Sequence, residues 1–417
     1  MPARPMLRLG ASDIHPLADS WYESRFSGLF RTCGYTATRA YDPDIAVWAG
    51  SPAFPNQGEN PGVGGASWSR AQARIGGVGE AIERMATQAL PRDSCIRSSF
   101  DVWEMDERAV EPRDWVLFHP RQYDQLAFEP LTRRTECEWV RCRTVRDGEP
   151  YWVPKELVFM DFNPNRTPRF CPGISTGWSA HRTTQEAVIR GVRELLERDA
   201  TINAWWGYYP VYEVDREFVA QTLSIPSKRY QRANLSYRFY RIESPFTSTA
   251  TIVTVEGEDE YGWLFAVGSA CASTLEKSWE KSLCEAIQDR LYVRFLMTQP
   301  APEEFPTSFA EHALYYTLHP HKISRTVLDS PPTEESAASS KEETLDEILP
   351  GLPHQPLWRL TTPSQIAQLG LNWVVTRVVI PGLQPLHGSH YFPFLGGPAW
   401  EGRGLEEYGE IPPHPFA

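Results

Sequence analysis

The sequence predicts an α+β fold in which antiparallel strands are packed with long helices. Three long amphipathic stretches indicate the helices, because their apolar residues recur every three or four positions. Short runs of β-branched and aromatic residues, bounded by turn signals, indicate strands between the helices. No repeat with a period of about 20–50 residues is evident, so a solenoid is not expected.

Each of the three predicted helices opens on a capping pattern. The helices cover about residues 69–90, 183–200 and 274–297. A Ser or Thr followed three residues later by Glu or Gln is the signature of a helix start. The pairs are Ser69 and Gln72, Thr183 and Glu186, and Ser273 and Glu276. An acidic residue lies 11 or 12 positions past each cap, so helices of matched length would bring their acidic turns to one level.

The strands are expected between and around these helices. Asp147-Gly148 separates two apolar runs, 138–145 and 151–153, which is a strong hairpin signal. The small-residue stretch 174–180 is expected to be a loop leading into the second helix, either a plain turn or a place where a ligand approaches the backbone. A short helix is expected near residues 309–316, and further strands at 44–49, 237–242, 249–255, 263–267 and 372–380.

Composition is that of an ordinary globular protein. The 417 residues are 41 % hydrophobic and 12 % aromatic. The net charge of −12, without a compact basic run, argues against nucleic-acid binding. No apolar run approaches the length of a membrane-spanning helix, and the N-terminus lacks the apolar core of a signal peptide. Seven scattered cysteines predict reduced thiols and a cytoplasmic protein.

An E-x-x-E-R cluster lies deep in each of the first two helices, and a variant lies in the third. A single cluster of this kind usually forms an exposed, salt-bridged helix face. Recurrence in three capped helices favours instead a site where carboxylates hold Mg²⁺ on a triphosphate and arginines neutralise phosphate charge. The clusters are Glu80, Glu83 and Arg84; Glu194, Glu197 and Arg198; and Glu285, Gln288 and Arg290.

Other candidate chemistry has less support in the sequence. His387 and His390 have H-x-x-H spacing, but no Cys or acidic residue stands at metal-binding spacing beside them. Cys284 lies on the third predicted helix and is interpreted as a core residue rather than a nucleophile. The acidic helices therefore remain the principal candidate site.

These residues resemble those of a known family. GEAIER (79–84), GVRELLERDA (191–200) and SLCEAIQDR (282–290) occur in the order and at about the spacing found in YcaO proteins, ATP-dependent enzymes that activate backbone amides. WVRCRTVRDGEPYWVP (139–154) and VVIPGLQPLH (378–387) are also similar. From this resemblance we expect a short N-terminal segment, residues 1–60, and a YcaO domain, residues 61–417, ending in a Pro-rich tail, residues 411–417.

The resemblance implies roles for individual residues. The tail of related proteins ends in Pro-x-Pro-x-Pro and reaches into the active site, which makes Pro415 and Ala417 the candidate catalytic residues. Thr176, His181 and Ala417 depart from the residues usual in the family. The acids that match Mg²⁺ ligands are Glu80, Glu83, Glu194, Glu197 and Glu285, and the residues that match the ATP site are Arg84, Ser175, Gly177, Arg198, Gln288 and Arg290.

The activity implied by the resemblance is ATP-dependent O-phosphorylation of a backbone amide in a ribosomally synthesised precursor peptide. The expected product is an azoline or a macrocyclic amidine. Thioamide formation, or a nucleotide-binding accessory role for a partner enzyme, are the alternatives. The expected partners are the precursor peptide, a leader-binding protein and a second copy in a homodimer, with no nucleic acid and no membrane.

Overall fold

The structure is a computed structural model of the chain and describes residues 29–53, 62–87, 95–103, 108–160, 168–300, 304–337, 341–364, 366 and 372–416. Helices and three mainly antiparallel sheets pack together, which confirms the predicted α+β class. The strands are β1 (Phe30–Tyr35), β2 (Ala46–Pro52), β3 (Val63–Ser67), β4 (Ile96–Ser98), β5 (Cys137–Thr144), β6 (Pro150–Pro154), β7 (Trp178–His181), β8 (Val211–Val214), β9 (Leu235–Ile242), β10 (Ala250–Asp259), β11 (Gly262–Cys271), β12 (Thr333–Glu334), β13 (Leu357–Leu360) and β14 (Val374–Val379).

Three helices are much longer than the others. They are α1 (Arg70–Thr87), α4 (Thr184–Trp205) and α7 (Leu275–Leu296), and they coincide with the three amphipathic stretches of the sequence. The shorter helices are α2 (Phe100–Trp103), α3 (Lys155–Val158), α5 (Arg216–Thr222), α6 (Ser227–Tyr230), α8 (Phe309–Leu318) and α9 (Leu345–Ile348).

Each long helix packs closely on a sheet. The strand orders are β1-β2-β3, β11-β10-β9-β8-β12 and β4-β5-β13-β14-β7, with β6 paired to β5. A Cβ atom added to Gly65 of β3 would stand 2.2 Å from the carbonyl oxygen of Ala73 on α1. One added to Gly268 of β11 would stand 2.1 Å from the carbonyl oxygen of Ser282 on α7. Only glycine permits such close contact between helix and strand backbones.

The hairpin predicted at Asp147-Gly148 is confirmed, since β5 and β6 pair antiparallel around a glycine with φ 73°. The strands expected near residues 44–49, 237–242, 249–255, 263–267 and 372–380 are also present, as is the helix near residues 309–316. Strand β2 pairs with both β1 and β3, so part of the predicted N-terminal segment shares a sheet with residues beyond it.

Four local expectations need correction. The stretch 174–180 is not all loop, because β7 begins at Trp178 and pairs with β14. Helix α4 continues past Ala200 to Trp205, since its buried face extends to that residue. The short apolar run 156–160, expected from its residues among strands and turns, instead begins within the helical turn α3. The cap of α7 is Thr274, whose hydroxyl accepts from the Lys277 N–H, and not Ser273.

Candidate functional site

Strand and loop groups orient four of the predicted acidic side chains. Each carboxylate accepts a hydrogen bond from a residue on the sheet beneath its helix, which fixes the direction in which the carboxylate points. Backbone N–H groups serve three acids and a hydroxyl serves the fourth. The pairs are Gly64 with Glu80 at 2.8 Å, Ala180 with Glu83, Gly177 with Glu194 at 3.0 Å, and the Ser269 hydroxyl with Glu197 at 2.8 Å.

Helix α4 lies between the other two acidic helices. Burial, and next the charge of Glu194, raise the pKa of Glu83 on α1 well above its ordinary value. Burial also raises the pKa of Glu285 on α7 to about 7, with Glu197 adding to the increase and Lys281 opposing it. The Glu285 side chain is still 39 % exposed, as expected in an open cleft largely surrounded by protein. The structure therefore brings the acids of all three helices together.

Lys281 is a member of this site that the sequence analysis missed. Its ammonium lies 3.4 Å from a Glu197 carboxylate oxygen and 3.5 Å from one of Glu285. Burial alone would lower the pKa of Lys281, but Glu197, Glu285 and Glu194 raise it overall. One cation thus offsets part of the carboxylate repulsion across the α4–α7 boundary.

Replacement of Lys281 with Met should make stability more dependent on Mg²⁺. Without the ammonium, the carboxylates of Glu197 and Glu285 face each other uncompensated, so we expect the thermal midpoint in EDTA to fall by about 2–4 °C. Because Mg²⁺ supplies the missing charge, its stabilising effect should exceed that on the unmodified protein. Thermal unfolding across a Mg²⁺ titration measures both quantities. Lys277→Met, which removes an exposed lysine one turn earlier, is the control, and an identical response of both variants would contradict the expectation.

Two arginines present unpaired donors to this site. An Arg84 guanidinium nitrogen lies 3.4 Å from Glu80, and the charge of Arg198 opposes the increase that burial causes in the pKa of Glu194. The Nε atoms of both arginines are buried without a hydrogen-bond partner. Leaving such donors unsatisfied costs about 1–3 kcal/mol each. Phosphate oxygens, which only accept hydrogen bonds, would satisfy both.

The remaining predicted nucleotide contacts divide into two groups. Gln288 lies at the site, since its Nε2 atom is 3.3 Å from where a Cβ on Gly64 would stand. Gly177 and Ser175 belong to the loop before β7, where the Ser175 carbonyl oxygen accepts from the Trp178 N–H at 3.0 Å. These positions agree with the proposed contacts but do not test them.

Arg290 is directed elsewhere. Its guanidinium donates to the carbonyl oxygens of Leu264 at 3.1 Å and Gly257 at 3.0 Å, and lies 3.6 Å from Asp259. Residues five apart on a helix are about 140° apart around its axis, so Arg290 cannot share the face of Glu285. The structure therefore directs the Arg290 guanidinium away from the acids, and its predicted contact with ATP remains a prediction.

The described residues contain no ready-made metal cage, because nowhere in them do three or more His, Cys, Asp or Glu side chains form a group that could hold an ion. Mg²⁺ usually takes one or two carboxylates and completes its octahedron with water and phosphate oxygens. Acids spread along a cleft beside unpaired arginine donors fit that mode of binding. The arrangement suits Mg²⁺ held together with a polyphosphate rather than alone.

The C-terminal tail is docked on the ends of α4 and α8. The Trp205 indole donates to the Pro412 carbonyl oxygen at 2.7 Å, and the Tyr316 hydroxyl donates to that of Pro413 at 2.7 Å. Pro415 is buried in this packing. Ala417 lies outside the described residues, so its predicted catalytic role and that of Pro415 remain predictions.

Gly177 is needed to shape the loop that holds Glu194. It has φ 90°, and a Cβ atom at this position would stand 2.3 Å from the Val378 carbonyl oxygen. We expect Gly177→Ala to lower the free energy of unfolding by about 3 kcal/mol or more, because backbone strain of about 1–2 kcal/mol adds to the clash. Gly148→Ala is the matched control, since Gly148 has φ 73° but open space around it. Urea unfolding should show a larger loss in the free energy of unfolding for Gly177→Ala than for Gly148→Ala. Equal losses would show that backbone strain, and not the clash with Val378, destabilises Gly177→Ala.

The three acidic helices and unpaired arginines define a binding site for a divalent cation and a polyphosphate, built from helix faces rather than a glycine-rich loop. Residues 64–384 match the family model described as YcaO cyclodehydratase, ATP- and Mg²⁺-binding. The chain belongs to the YcaO family. This family assignment confirms the resemblance seen in the motifs.

Solved structures with low sequence identity share the fold. A heterocyclase in complex with substrate and cofactor matches with a TM-score of 0.70 and 16 % identity, over 96 % of this chain and 56 % of that chain. YcaO from Methanopyrus kandleri, bound with AMPPCP and Mg²⁺, matches with a TM-score of 0.55 and 18 % identity, over 84 % and 86 %. The E. coli microcin synthetase McbBCD complex matches with a TM-score of 0.62 and 14 % identity, over 93 % and 96 %.

One curated relative is an uncharacterised protein of Methanothermobacter thermautotrophicus. It is 27 % identical over 136 residues, which are 32 % of this chain and 31 % of that protein. The chain thus matches about a third of that relative's length and little more than half of the heterocyclase. As a separate observation, none of the helices in the described ranges combines the length and apolarity needed to cross a bilayer.

Proposed function

We propose that this protein uses Mg-ATP to activate a backbone amide of a ribosomally synthesised peptide, giving a cyclodehydrated product. The observation that carries the proposal is the convergence of acids from α1, α4 and α7 beside the unpaired Nε atoms of Arg84 and Arg198. Membership in a family of ATP- and Mg²⁺-binding cyclodehydratases supports it.

When bound, Mg-ATP supplies the phosphoryl group with which the amide oxygen departs as phosphate. The acids Glu80, Glu83, Glu194, Glu197 and Glu285 would hold the cations, and strand and loop donors keep the first four oriented. Arg84 and Arg198 would neutralise charge on the transferred group. The protein's contribution is therefore positioning and charge neutralisation, which account for most of the catalysis in phosphoryl transfer.

The product depends on the nucleophile that adds to the amide carbon. A neighbouring Cys, Ser or Thr side chain gives an azoline, an N-terminal amine gives a macrocyclic amidine, and sulfide gives a thioamide. We favour the azoline, because the heterocyclase fold is shared over 96 % of this chain. A peptide substrate and a partner protein that binds its leader are part of the proposal. One structural neighbour is a microcin synthetase complex with pro-MccB17 bound, which supports this view.

The test is release of ADP and phosphate from Mg-ATP, with and without candidate precursor peptides, while peptide mass is followed. Peptide-stimulated turnover with loss of one water from the peptide is the expected result, and tandem mass spectrometry would then locate the ring. Nucleotide binding without a mass change, in the presence of candidate leader-binding proteins, would favour an accessory role. Absence of Mg-dependent nucleotide binding would overturn the proposal.

A further inference from the structure

A largely apolar cleft adjoins the acidic site on the far side of Arg198. It contains a cavity of about 70 Å³. Its walls come from five segments of the chain, within residues 115–117, 156–159, 171–176, 195–198 and 377–385, and Arg198 and Thr176 lie where it meets the loop before β7. The lining side chains with apolar surface include Val116, Leu117, Leu157, Phe159, Ile174 and Leu383.

Three of the residues that line this cleft each carry a buried polar atom without a hydrogen-bond partner. These atoms are the indole Nε1 of Trp115, the Nε of Arg377 and the Oε1 of Gln384. An unsatisfied buried group is costly, and native proteins contain few. Their presence around one apolar cleft indicates a ligand that has both hydrogen-bond acceptors and a donor.

The polarity of each atom is fixed by its surroundings. The Gln384 Nε2 donates to the carbonyl oxygen of Phe394 at 3.0 Å, so Oε1 is the free acceptor. The Gln384 backbone N–H donates to Asp199 at 2.8 Å, which holds this residue in place. Arg377 donates hydrogen bonds from its two terminal nitrogens to the carbonyl oxygens of Thr176 and Leu157, and its Nε is the guanidinium nitrogen without a partner. The cleft thus offers donors at Trp115 and Arg377 and an acceptor at Gln384.

We propose that this cleft binds the peptide segment beside the reacting amide, with an apolar side chain of the substrate in its interior. A peptide unit carries one C=O acceptor and one N–H donor, which match the unpaired atoms. A phosphate has no N–H for Gln384 and would leave the apolar walls in contact with water. Arg198 joins the cleft to the acids, so an occupant would present its backbone to the proposed nucleotide site.

This inference rests on the proposed function, and its test separates the two. The probes are the peptide amides acetyl-Ala-Leu-Cys-Ala-NH₂ and acetyl-Ala-Gly-Cys-Ala-NH₂, titrated calorimetrically in the presence of Mg²⁺ and AMPPCP. We expect the Leu peptide to bind about 10-fold more tightly than the Gly peptide, because only the former fills the apolar interior. Mg-AMPPCP binding in the absence of peptide reports on the nucleotide site alone.

Two variants locate the contact. Trp115→Phe removes the unpaired N–H but keeps the ring, and should weaken Leu-peptide binding about 3- to 10-fold. Ile174→Trp fills the cleft at a half-buried position and should reduce Leu-peptide binding at least about 10-fold. Trp68→Phe is the control, because the Trp68 indole nitrogen is also buried and unpaired but lies outside the cleft. Affinity for Mg-AMPPCP should be unchanged in all three.

The outcomes that overturn the inference are distinct from failure of the proposed function. Equal affinities for the two peptides, no measurable binding of the Leu peptide at millimolar concentration, or full binding by Ile174→Trp would each exclude the cleft as the peptide site. Weaker Mg-AMPPCP binding by Ile174→Trp would assign the cleft to the nucleotide base instead. The proposed function fails separately, if the unmodified protein binds no Mg-AMPPCP.

Discussion

Replacing Glu197 with Gln should reduce ATP turnover by about 100- to 1,000-fold while the protein stays folded. Glu197 is 2 % exposed and lies between the Ser269 hydroxyl and the Lys281 ammonium. Gln keeps the size of the side chain and an oxygen that can accept from Ser269. What it removes is one negative charge, which is what a Mg²⁺ ligand must provide. The loss should therefore appear in turnover and in Mg²⁺ affinity.

The measurements are phosphate release as a function of Mg²⁺ concentration, and thermal unfolding of both proteins in EDTA. We expect the midpoint of unfolding without Mg²⁺ to change little, because loss of carboxylate repulsion offsets the weakened contact with Lys281. Glu217→Gln, an exposed substitution on α5, controls for a general effect of removing one acid. Unchanged turnover in Glu197→Gln would remove Glu197 from the proposed set of metal ligands.

Much of the fold could be predicted because its main signals are local. The capping residue Thr183 and the apolar periodicity after it define α4, and the Asp147-Gly148 turn defines the β5–β6 hairpin. The acids could be grouped for the same reason. With Thr274 as the cap of α7, Glu285 lies 11 residues past its cap, as Glu194 does past Thr183. Helices of matched length, packed mainly on three different sheets, then bring the acidic turns together.

The parts that could not be predicted depend on contacts between distant residues. Lys281 looks like one more surface lysine on a charged helix, and only the packing of α7 against β11 and α4 places it at Glu197. Arg290 belongs to the acidic motif by sequence, but its guanidinium donates hydrogen bonds to carbonyl oxygens near the end of the β10–β11 hairpin, away from the acids. Arg377, on β14, belongs to no motif, although burial lowers its pKa to about 10 and the nearby charges of Glu194 and Glu83 oppose that decrease. None of these contacts has a local sequence signature.

The histidines around the tail are a further example. His312 and His414 are 102 residues apart, yet their rings stack at 3.8 Å between centroids. His387 and His390 were considered as a zinc pair, but both instead contact the Tyr408 hydroxyl at 3.1 Å. Sequence spacing gave no indication that four histidines and the tail form one buried cluster.

This cluster should make docking of the tail depend on pH. The His414 ring donates to the His387 carbonyl oxygen at 2.8 Å, and the His312 Nδ1 donates to that of His414 at 2.6 Å. Burial lowers the pKa of His312 to about 3 and of His390 to about 4, and lowers those of His387 and His414 well below 6.5. The hydrogen-bond partners of these rings are carbonyl groups, backbone N–H and the neutral Tyr408, so no carboxylate compensates a protonated ring.

The direction in which tail docking changes with pH follows from these lowered pKa values. A released ring titrates near its ordinary pKa of 6.5, whereas a docked ring stays neutral, so the released state binds more protons below pH 6.5. Docking is fully favoured above pH 6.5 and weakens as pH falls towards the docked pKa values. At pH 5, each ring that is neutral when docked and protonated when released weakens docking by about 2 kcal/mol.

Hydrogen exchange of the tail amides between pH 7.5 and 5 measures this dependence locally. After correction for intrinsic exchange, we expect the protection of the His414 and Phe416 amides, which alternate with prolines that carry no N–H, to fall by about 100-fold or more. A local probe is required because Asp199, Glu285 and Asp289, whose pKa values burial raises to about 7, change global stability in the opposite direction.

Two variants test the origin of the pH dependence. In His414→Gln, release of the tail should take up about one proton fewer, so the protection of the tail amides should depend less steeply on pH. In His321→Gln, which lies outside the cluster, the pH dependence should be unchanged. Protection that stays constant down to pH 5 would mean that the rings remain neutral whether the tail is docked or released, and the cluster would then act only through packing.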